Sequence, residues 1–297
     1  MNRVRKTLIA GSISLTVVCA LLLGQDAPIR QLTVDVDTVL VPVTVTNDRG
    51  QYVGGLEKQN FQVFEDKVEQ TLTSFSTEDA PLSLGIVLDS SGSMNPTMTL
   101  ARRNGGACMD VGAVDDEYFL IVFSDKLKVN TDFTPDLQKL RMALLTVQSK
   151  GSTALYDAIY AGLAKIKEGT HPRKALVVVS DGFDNHSRYS EKNVRDAVKE
   201  SDVQLYLIGN EGDGALRQLS EETGGRSLSP RSNVYELGNI CSQIVKEVKN
   251  QYVLGYRSTN QEKDGKWRNV SVKLTTPPGI GRLNTRPKKG YYAPGLK

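Results

Sequence analysis

The sequence predicts an α/β protein with a doubly wound, mostly parallel sheet at its centre and an all-β part built from the segments on either side. Three observations carry that expectation. Between residues 81 and 250, unbroken apolar runs alternate with stretches of helical period, the pattern of strands covered on both faces by helices. On both sides of that region the period falls to two. The outer segments also carry opposite charge, four basic against ten acidic residues in 25–82 and ten basic against two acidic in 251–297. Neither outer segment is long enough to be a stable sheet alone. They are expected to pair as one β-domain with the α/β region inserted, dividing the chain into 1–24, 30–80, 81–250 and 251–297. Two appendages packed separately on the α/β region are the other arrangement the pattern allows.

Residues 1–24 place Arg3, Arg5 and Lys6 ahead of an uncharged apolar stretch, the layout of a secretory signal. Neither the ending at Gly24 nor that at Ala27 gives small residues at both the −3 and −1 positions. An uncleaved anchor therefore stays open, since about 17 apolar residues is the lower limit for a spanning helix. Either way the protein is expected to be exported, as a periplasmic, envelope-associated or secreted protein. With 39% hydrophobic and 24% charged residues the 297-residue chain is globular rather than disordered, and a net charge of +3 gives no reason to expect a nucleic-acid partner. Cys19 lacks the small preceding residue of a lipidation site. Cys108 and Cys241 fall in predicted helices, where they read as buried apolar side chains or as a single bridge.

From the front, 31–46 alternates apolar and polar, first at Leu32, Val34 and Val36, then at Val39, Val41, Val43 and Val45, with a bulge or turn between. Pro42 puts the second of these strands at a sheet edge. Residues 61–64 and 70–75 read as a hairpin across Glu65-Asp66-Lys67. The buried strands of the α/β region are expected at 82–89, 118–124, 174–181 and 203–209, with an added edge strand at 127–133. Leu155, Ile159, Leu163 and Ile166 mark one amphipathic helix, and Leu237, Cys241, Ile244 and Val248 the last one, over about 234–249. After Asn250 the alternation returns in Tyr252, Leu254 and Tyr256 and again in Val270, Val272 and Leu274.

The chemistry concentrates at strand ends. The first buried strand ends in Asp89-Ser90-Ser91-Gly92-Ser93, and the third long one in Ser180-Asp181-Gly182. Gly151-Ser152-Thr153 opens the helix that starts near Ala154. Open α/β sheets bind their ligands at this kind of position, at the carboxyl ends of strands. Two carboxylates and three hydroxyls, without His or Cys, form a hard oxygen set that suits Mg²⁺ or Mn²⁺ and disfavours zinc or copper. Ser91, Ser93 and Thr153 are expected to bind the cation directly, with Asp89 and Asp181 acting through water and one position left open for a carboxylate.

The DSSGS run, the Gly-Ser-Thr loop and VVVSDG together resemble the metal-ion-dependent adhesion site of von Willebrand factor A domains, over about 82–250. The resemblance implies a six-stranded, Rossmann-like sheet whose first and fourth strands adjoin, a metal held by Asp89, Ser91, Ser93, Thr153 and Asp181, and a protein partner that supplies an Asp or Glu carboxylate. The flanks VPVTVTNDRGQYVGGLEKQNFQVFEDKVEQTLTSFS, QYVLGYRS, DGKWRNVSVKL and KKGYYAP resemble exported bacterial proteins with a von Willebrand A-related domain, common in Acidobacteria. One feature departs from the pattern. The helix expected after DSSGS, within 95–115, contains Pro96, Gly105, Gly106 and Gly112, and each interior glycine costs about 0.5–1 kcal/mol against alanine.

An enzyme is not expected. No GxSxG elbow, GxxxxGK[ST] loop or GxGxxG turn is present, and His171 and His186 both lie in polar loops where solvation is the simpler role. Metal-assisted hydrolysis and a metal-independent envelope scaffold remain the alternatives, the first requiring a phosphate clamp such as Arg188 to reach the site. Asp184 and Asn185 read as turn formers, and Ser124-Asp125 is left out of the site. Tyr252, Tyr256, Trp267, Tyr291 and Tyr292 read as core and rim of the β part rather than as a glycan or nucleic-acid surface.

Overall fold

The computed structural model describes residues 38–77, 79–95, 115–181, 183–209, 214–229 and 234–295. The signal-like segment, the run at 32–36, Cys19, Cys108 and the glycine-containing helix expected within 95–115 lie outside these residues. The front segment forms β1 (Thr38–Asn47), β2 (Phe61–Glu65), β3 (Val68–Gln70) and β4 (Leu72–Ser76). The α/β region follows with β5 (Leu82–Asp89), β6 (Glu117–Phe123), β7 (Leu127–Thr134), β8 (Arg173–Ser180), β9 (Gln204–Gly209) and β10 (Ser227–Leu228). Its helices are α1 (Leu137–Leu145), α2 (Leu155–Ile166), α3 (Glu191–Lys199), α4 (Gly214–Glu222) and α5 (Val234–Lys249). The tail adds β11 (Tyr252–Arg257), β12 (Trp267–Leu274), β13 (Leu283–Pro287) and β14 (Gly290–Tyr292).

The central sheet is mixed and six-stranded, in the order β10-β9-β8-β5-β6-β7, parallel except for the edge strand β7. All eight residues of β5 are buried, as two-sided cover by helices requires. At Gly85 the sheet admits no side chain, because a Cβ there would sit 2.3 Å from the Phe119 ring. One face packs on α2, α3 and α4 through Leu155, Ile159, Leu163, Val194, Val198 and Leu219. The opposite face packs on α1 and α5 through Leu140, Leu144, Ile244, Val245 and Val248. Burying a Leu, Ile or Val side chain contributes about 1.5–3 kcal/mol, so these stripes decide which way each helix faces.

Strands from the two ends of the chain interleave in two four-stranded sheets, β13-β1-β11-β4 and β14-β12-β2-β3. A common core of Val41, Val43, Val45, Phe61, Val63, Tyr252, Leu254, Tyr256 and Val270 joins them. The buried Glu65 carboxylate is held there by the hydroxyls of Tyr256 (2.8 Å), Tyr291 (2.9 Å) and Ser258. Tyr252 and Tyr256 are fully buried and Tyr292 partly exposed, which fits the expected division into core and rim.

Four details differ from, or refine, the sequence expectation. Pro42 does not make β1 an edge strand, since β11 and β13 flank it. The β13 register begins at Val43, and Lys288 N–H donates to the Pro42 carbonyl just past the end of β13, so the missing proline N–H falls where no ladder partner is needed. The return strand of the expected hairpin is broken at Thr71: β3 pairs with β2, while β4 crosses to pair with β11. Arg286, Lys288 and Lys289 of the basic tail pair with Glu247, Asp202 and Glu221 of the α/β region rather than with the acidic front segment. Cys241 is disulfide-bonded, to a partner outside the described residues. No helix among the described residues is long and apolar enough to cross a membrane.

Candidate functional site

β5 and β8 are hydrogen-bonded neighbours, with Leu88 level with Val179, so Asp89 and Asp181 emerge side by side at their carboxyl ends. The sheet continues from β5 toward β6 on one side and from β8 toward β9 on the other. The loops after the two strands therefore diverge and leave a crevice, the topological switch point of the sheet.

Asp89 is fully buried, and both its oxygens are committed. Oδ1 accepts the Ser91 N–H at 2.7 Å and Oδ2 accepts the Ser180 hydroxyl at 2.6 Å. Burial raises its pKa above the ordinary aspartate value, and the nearby Asp181 charge adds to the push. The hydrogen bonds from Ser180 and Ser91 work in the opposite direction without cancelling it. Past Asp89 the chain turns through a short 3-10 helix, Gly92–Met94. That turn brings the Ser91 and Ser93 hydroxyl oxygens to 3.1 Å of one another and lets Ser93 donate to Asp181 Oδ1 at 2.9 Å. Ser91 is buried and Ser93 exposed, so the hydroxyl pair runs from the floor of the crevice to its mouth.

The loop that carries Thr153 is bound to the loop after Asp89. Gly92 N–H donates to the Gly151 carbonyl (3.1 Å) and Lys150 N–H to the Ser90 carbonyl (2.7 Å), stitching the two loops together. Gly151 has φ +87°, and a Cβ there would lie 2.7 Å from an Asp125 carboxylate oxygen, so this turn requires glycine. Ala154 N–H then donates to the Ser124 carbonyl. Ser124-Asp125, left out of the site on sequence grounds, thus shapes the loop that carries Thr153.

This donor set can be tested against a magnesium-type cation. Six oxygens at about 2.0–2.1 Å in octahedral geometry stand about 2.9 Å apart along each edge. The Ser91–Ser93 separation of 3.1 Å is close to that edge. A hydroxyl that ligates a cation through a lone pair must send its proton elsewhere, and Asp181 already receives the Ser93 proton. In these two respects Ser91, Ser93 and Asp181 fit such an ion. No group of three or more His, Cys, Asp or Glu side chains suited to a metal occurs among the described residues, so a cation held here would need hydroxyls among its ligands.

The loop after Asp181 is fastened to the start of α2. Asn185 receives the Thr153 N–H at 2.9 Å and returns its own N–H to the Thr153 carbonyl at 3.0 Å. Asp184 accepts from Tyr156 N–H and from the Ser187 hydroxyl. Asp157, in the first turn of α2 and 6% exposed, accepts the N–H groups of Arg188 and Tyr189, both at 2.9 Å. Asp184 and Asn185, expected to form a turn, lie in irregular chain and grip the helix start instead. Ser180 and Asp157 were missed as supporting residues. Ser180 stood inside the quoted VVVSDG run, and Asp157 had the signal of an acid in a helix's first turn. Arg188 has its side chain 84% exposed, with Nε on Asp157. His171 sits at the other end of the sheet, its N–H on Ser83 near the start of β5, and His186 is exposed.

Residues 84–183 match the family model of the von Willebrand factor type A domain. The fold agrees with that of a von Willebrand factor type A protein from Catenulispora acidiphila, at TM-score 0.51 and 11% identity, covering 88% of this chain and 74% of that one. The PilB minor pilin of Streptococcus sanguinis gives TM-score 0.46 and 14% identity over 59% of this chain and 63% of the pilin. In sequence, 154 residues are 22% identical to a probable bifunctional E2/E3 enzyme of Acanthamoeba polyphaga mimivirus, a match that takes in 48% of this chain but only 12% of that protein.

Proposed function

We propose that the von Willebrand factor type A domain of this chain is a divalent-cation-dependent protein-binding module of an exported envelope or secreted protein. Ser91, Ser93 and Thr153 would hold Mg²⁺ or Mn²⁺ directly, and Asp89 and Asp181 through water or by exchange. When bound, the ion supplies an electrophilic open position for an Asp or Glu carboxylate of a partner protein. The chain's own residues do the rest. Asp89 fixes the Ser91 backbone, Asp181 takes the Ser93 proton, and the Gly151 turn presents Thr153. With hydroxyls as the direct ligands, few full charges touch the ion, so it keeps its appetite for an outside carboxylate. The carrying observation is the Ser91–Ser93–Asp181 chain of oxygens, 3.1 and 2.9 Å apart, at the carboxyl ends of adjoining strands. The signal-like 1–24 supports export, and the two four-stranded sheets are read as one β-domain that presents the module.

The test is water-proton relaxation of Mn²⁺ titrated into the full chain. Binding should enhance relaxation, and acetate, but not acetamide, should then reduce it by replacing bound water. An enhancement indifferent to acetate would overturn carboxylate capture. No Mn²⁺ binding at all would favour the metal-independent scaffold.

A further inference from the structure

The crevice has a rim that the cation chemistry does not use. Phe183, two residues beyond Asp181, is 63% exposed, which leaves a large aromatic side chain free to meet whatever approaches that carboxylate. Loose chain does not explain it. The residues around Phe183 tie its loop down: Asp184 to Tyr156 N–H, Asn185 reciprocally to the Thr153 backbone, and Asp157 to the N–H groups of Arg188 and Tyr189. At the far end of the same loop Tyr189, 37% exposed, stacks on Tyr160 with ring centres 4.1 Å apart and planes 18° from parallel. Arg188 turns most of its guanidinium to water. Lys126 and Lys150, on the two loops stitched to the site, are exposed as well. The loop after Asp181 thus presents one exposed aromatic, Phe183, and from Asp184 onward is hydrogen-bonded to the start of α2; Arg188, Lys126 and Lys150 stand in the surrounding loops together with Asp125 and Asp184.

Resting on the cation reading above, we infer that Phe183 is a specificity-determining residue. The partner is a protein segment in which the captured Asp or Glu has an aromatic or large aliphatic side chain within a few residues, and that side chain packs on Phe183. The preference for an acidic residue comes from the open position of the cation, since the rim charges Arg188, Lys126 and Lys150 are balanced by Asp125, Asp181 and Asp184. The apolar neighbour supplies affinity that a lone carboxylate lacks. Because the chain from Asp184 onward is hydrogen-bonded to the start of α2, little further ordering of that stretch is needed for the contact.

The experiment is selection of random twelve-residue peptides on the immobilised full chain in Mg²⁺, repeated with Phe183→Ser and with Asp181→Ala. The wild type should enrich Asp or Glu with Phe, Tyr, Trp, Leu or Ile within four positions. Phe183→Ser should keep the acid, lose the apolar preference, and bind the wild-type peptides about tenfold more weakly, the loss expected from an apolar contact of this size. Asp181→Ala should enrich neither feature. If Phe183→Ser selects the same apolar neighbours, or binds within twofold of wild type, the inference falls while the cation site stands. Acid enrichment without any apolar preference in the wild type has the same meaning. Loss of the metal-dependent acid preference in the wild type itself would overturn the cation reading and this inference with it. The side chain is mostly in water, so an unchanged thermal melt should accompany the serine variant.

Discussion

Replacing Asp157 by alanine should loosen the loop that follows Asp181, and its cost can be worked from three contacts. The carboxylate is 6% exposed and accepts two backbone N–H groups at 2.9 Å and the Arg188 Nε at 3.1 Å. A hydrogen bond to a charged acceptor contributes about 1.5–3 kcal/mol. The arginine pair, with its cation 84% exposed, is worth at most about 1 kcal/mol after screening. The loop can rotate its freed amides into water, so the low end applies, giving a loss of about 3 kcal/mol for Asp157→Ala and about half that for Asp157→Asn, which keeps an oxygen for both amides. At about 2–4 °C per kcal/mol for a domain of this size, the alanine melt should fall by about 6–12 °C. The pH dependence has a definite sign. Burial works to raise the Asp157 pKa, but the Tyr189 and Arg188 hydrogen bonds and the guanidinium prevail and hold it below the ordinary value. A carboxyl depressed in the folded state gives stability that is complete above the unfolded pKa of about 4 and disappears as pH falls through the folded value. Urea unfolding at pH 7, 5 and 3 should therefore show the wild type and Asp157→Ala separated equally at the first two and by less at the last. A variant within 0.5 kcal/mol of wild type at pH 7, or a separation that widens in acid, would refute the clamp.

Two further outcomes follow from backbone geometry. Asp66 and Lys67 both have positive φ, 44° and 72°, in the two-residue turn between β2 and β3, and Asp66 earns its place by receiving the Asn269 backbone and side-chain N–H groups. Lys67 is exposed and has no such bond among the described residues to offset its strain, so Lys67→Gly should raise stability by about 0.5–1 kcal/mol. The readout is a higher urea midpoint at unchanged slope, and a lower midpoint would show that the lysine stem contributes packing. Gly151→Ala should cost about 1–3 kcal/mol from the left-handed φ and the close Asp125 oxygen. It should also weaken Mg²⁺ binding several-fold by displacing Thr153; unchanged Mg²⁺ affinity would detach Thr153 from the site.

What the sequence disclosed depended on how local the governing physics is. The strand expected at 82–89 is β5 residue for residue, those at 118–124 and 174–181 are displaced by one, and the last helix spans 234–249. Strands covered on both faces have to be apolar throughout, and amphipathic helices have to show their stripe, so both write themselves into adjacent residues. Partner choice does not. Alternation at 61–64 and 70–75 marked β-structure but could not say that the chain breaks at Thr71 and crosses to β11, because period two records which face is buried and not which strand lies alongside. The site divides in the same way. Asp89, Ser91, Ser93, Thr153 and Asp181 were legible as oxygen donors at strand and helix ends. Ser180 on Asp89 and Asp157 on the Arg188–Tyr189 backbone are contacts across 91 and about 31 residues, with no period to betray them. Phe183 was invisible as a rim residue, since a single apolar side chain in a loop carries no sign of exposure.

The most direct test of the cation site is calorimetric titration of the full chain with Mg²⁺, wild type against Asp181→Ala, each checked by thermal melting in EDTA. One saturable site in the wild type, absent in the variant while the EDTA melt is unchanged, is the result expected of a cation held by Ser91, Ser93 and Thr153 and supported by Asp89 and Asp181. Wild-type protein that takes up no Mg²⁺, or an Asp181→Ala variant that binds it equally well, would contradict the account.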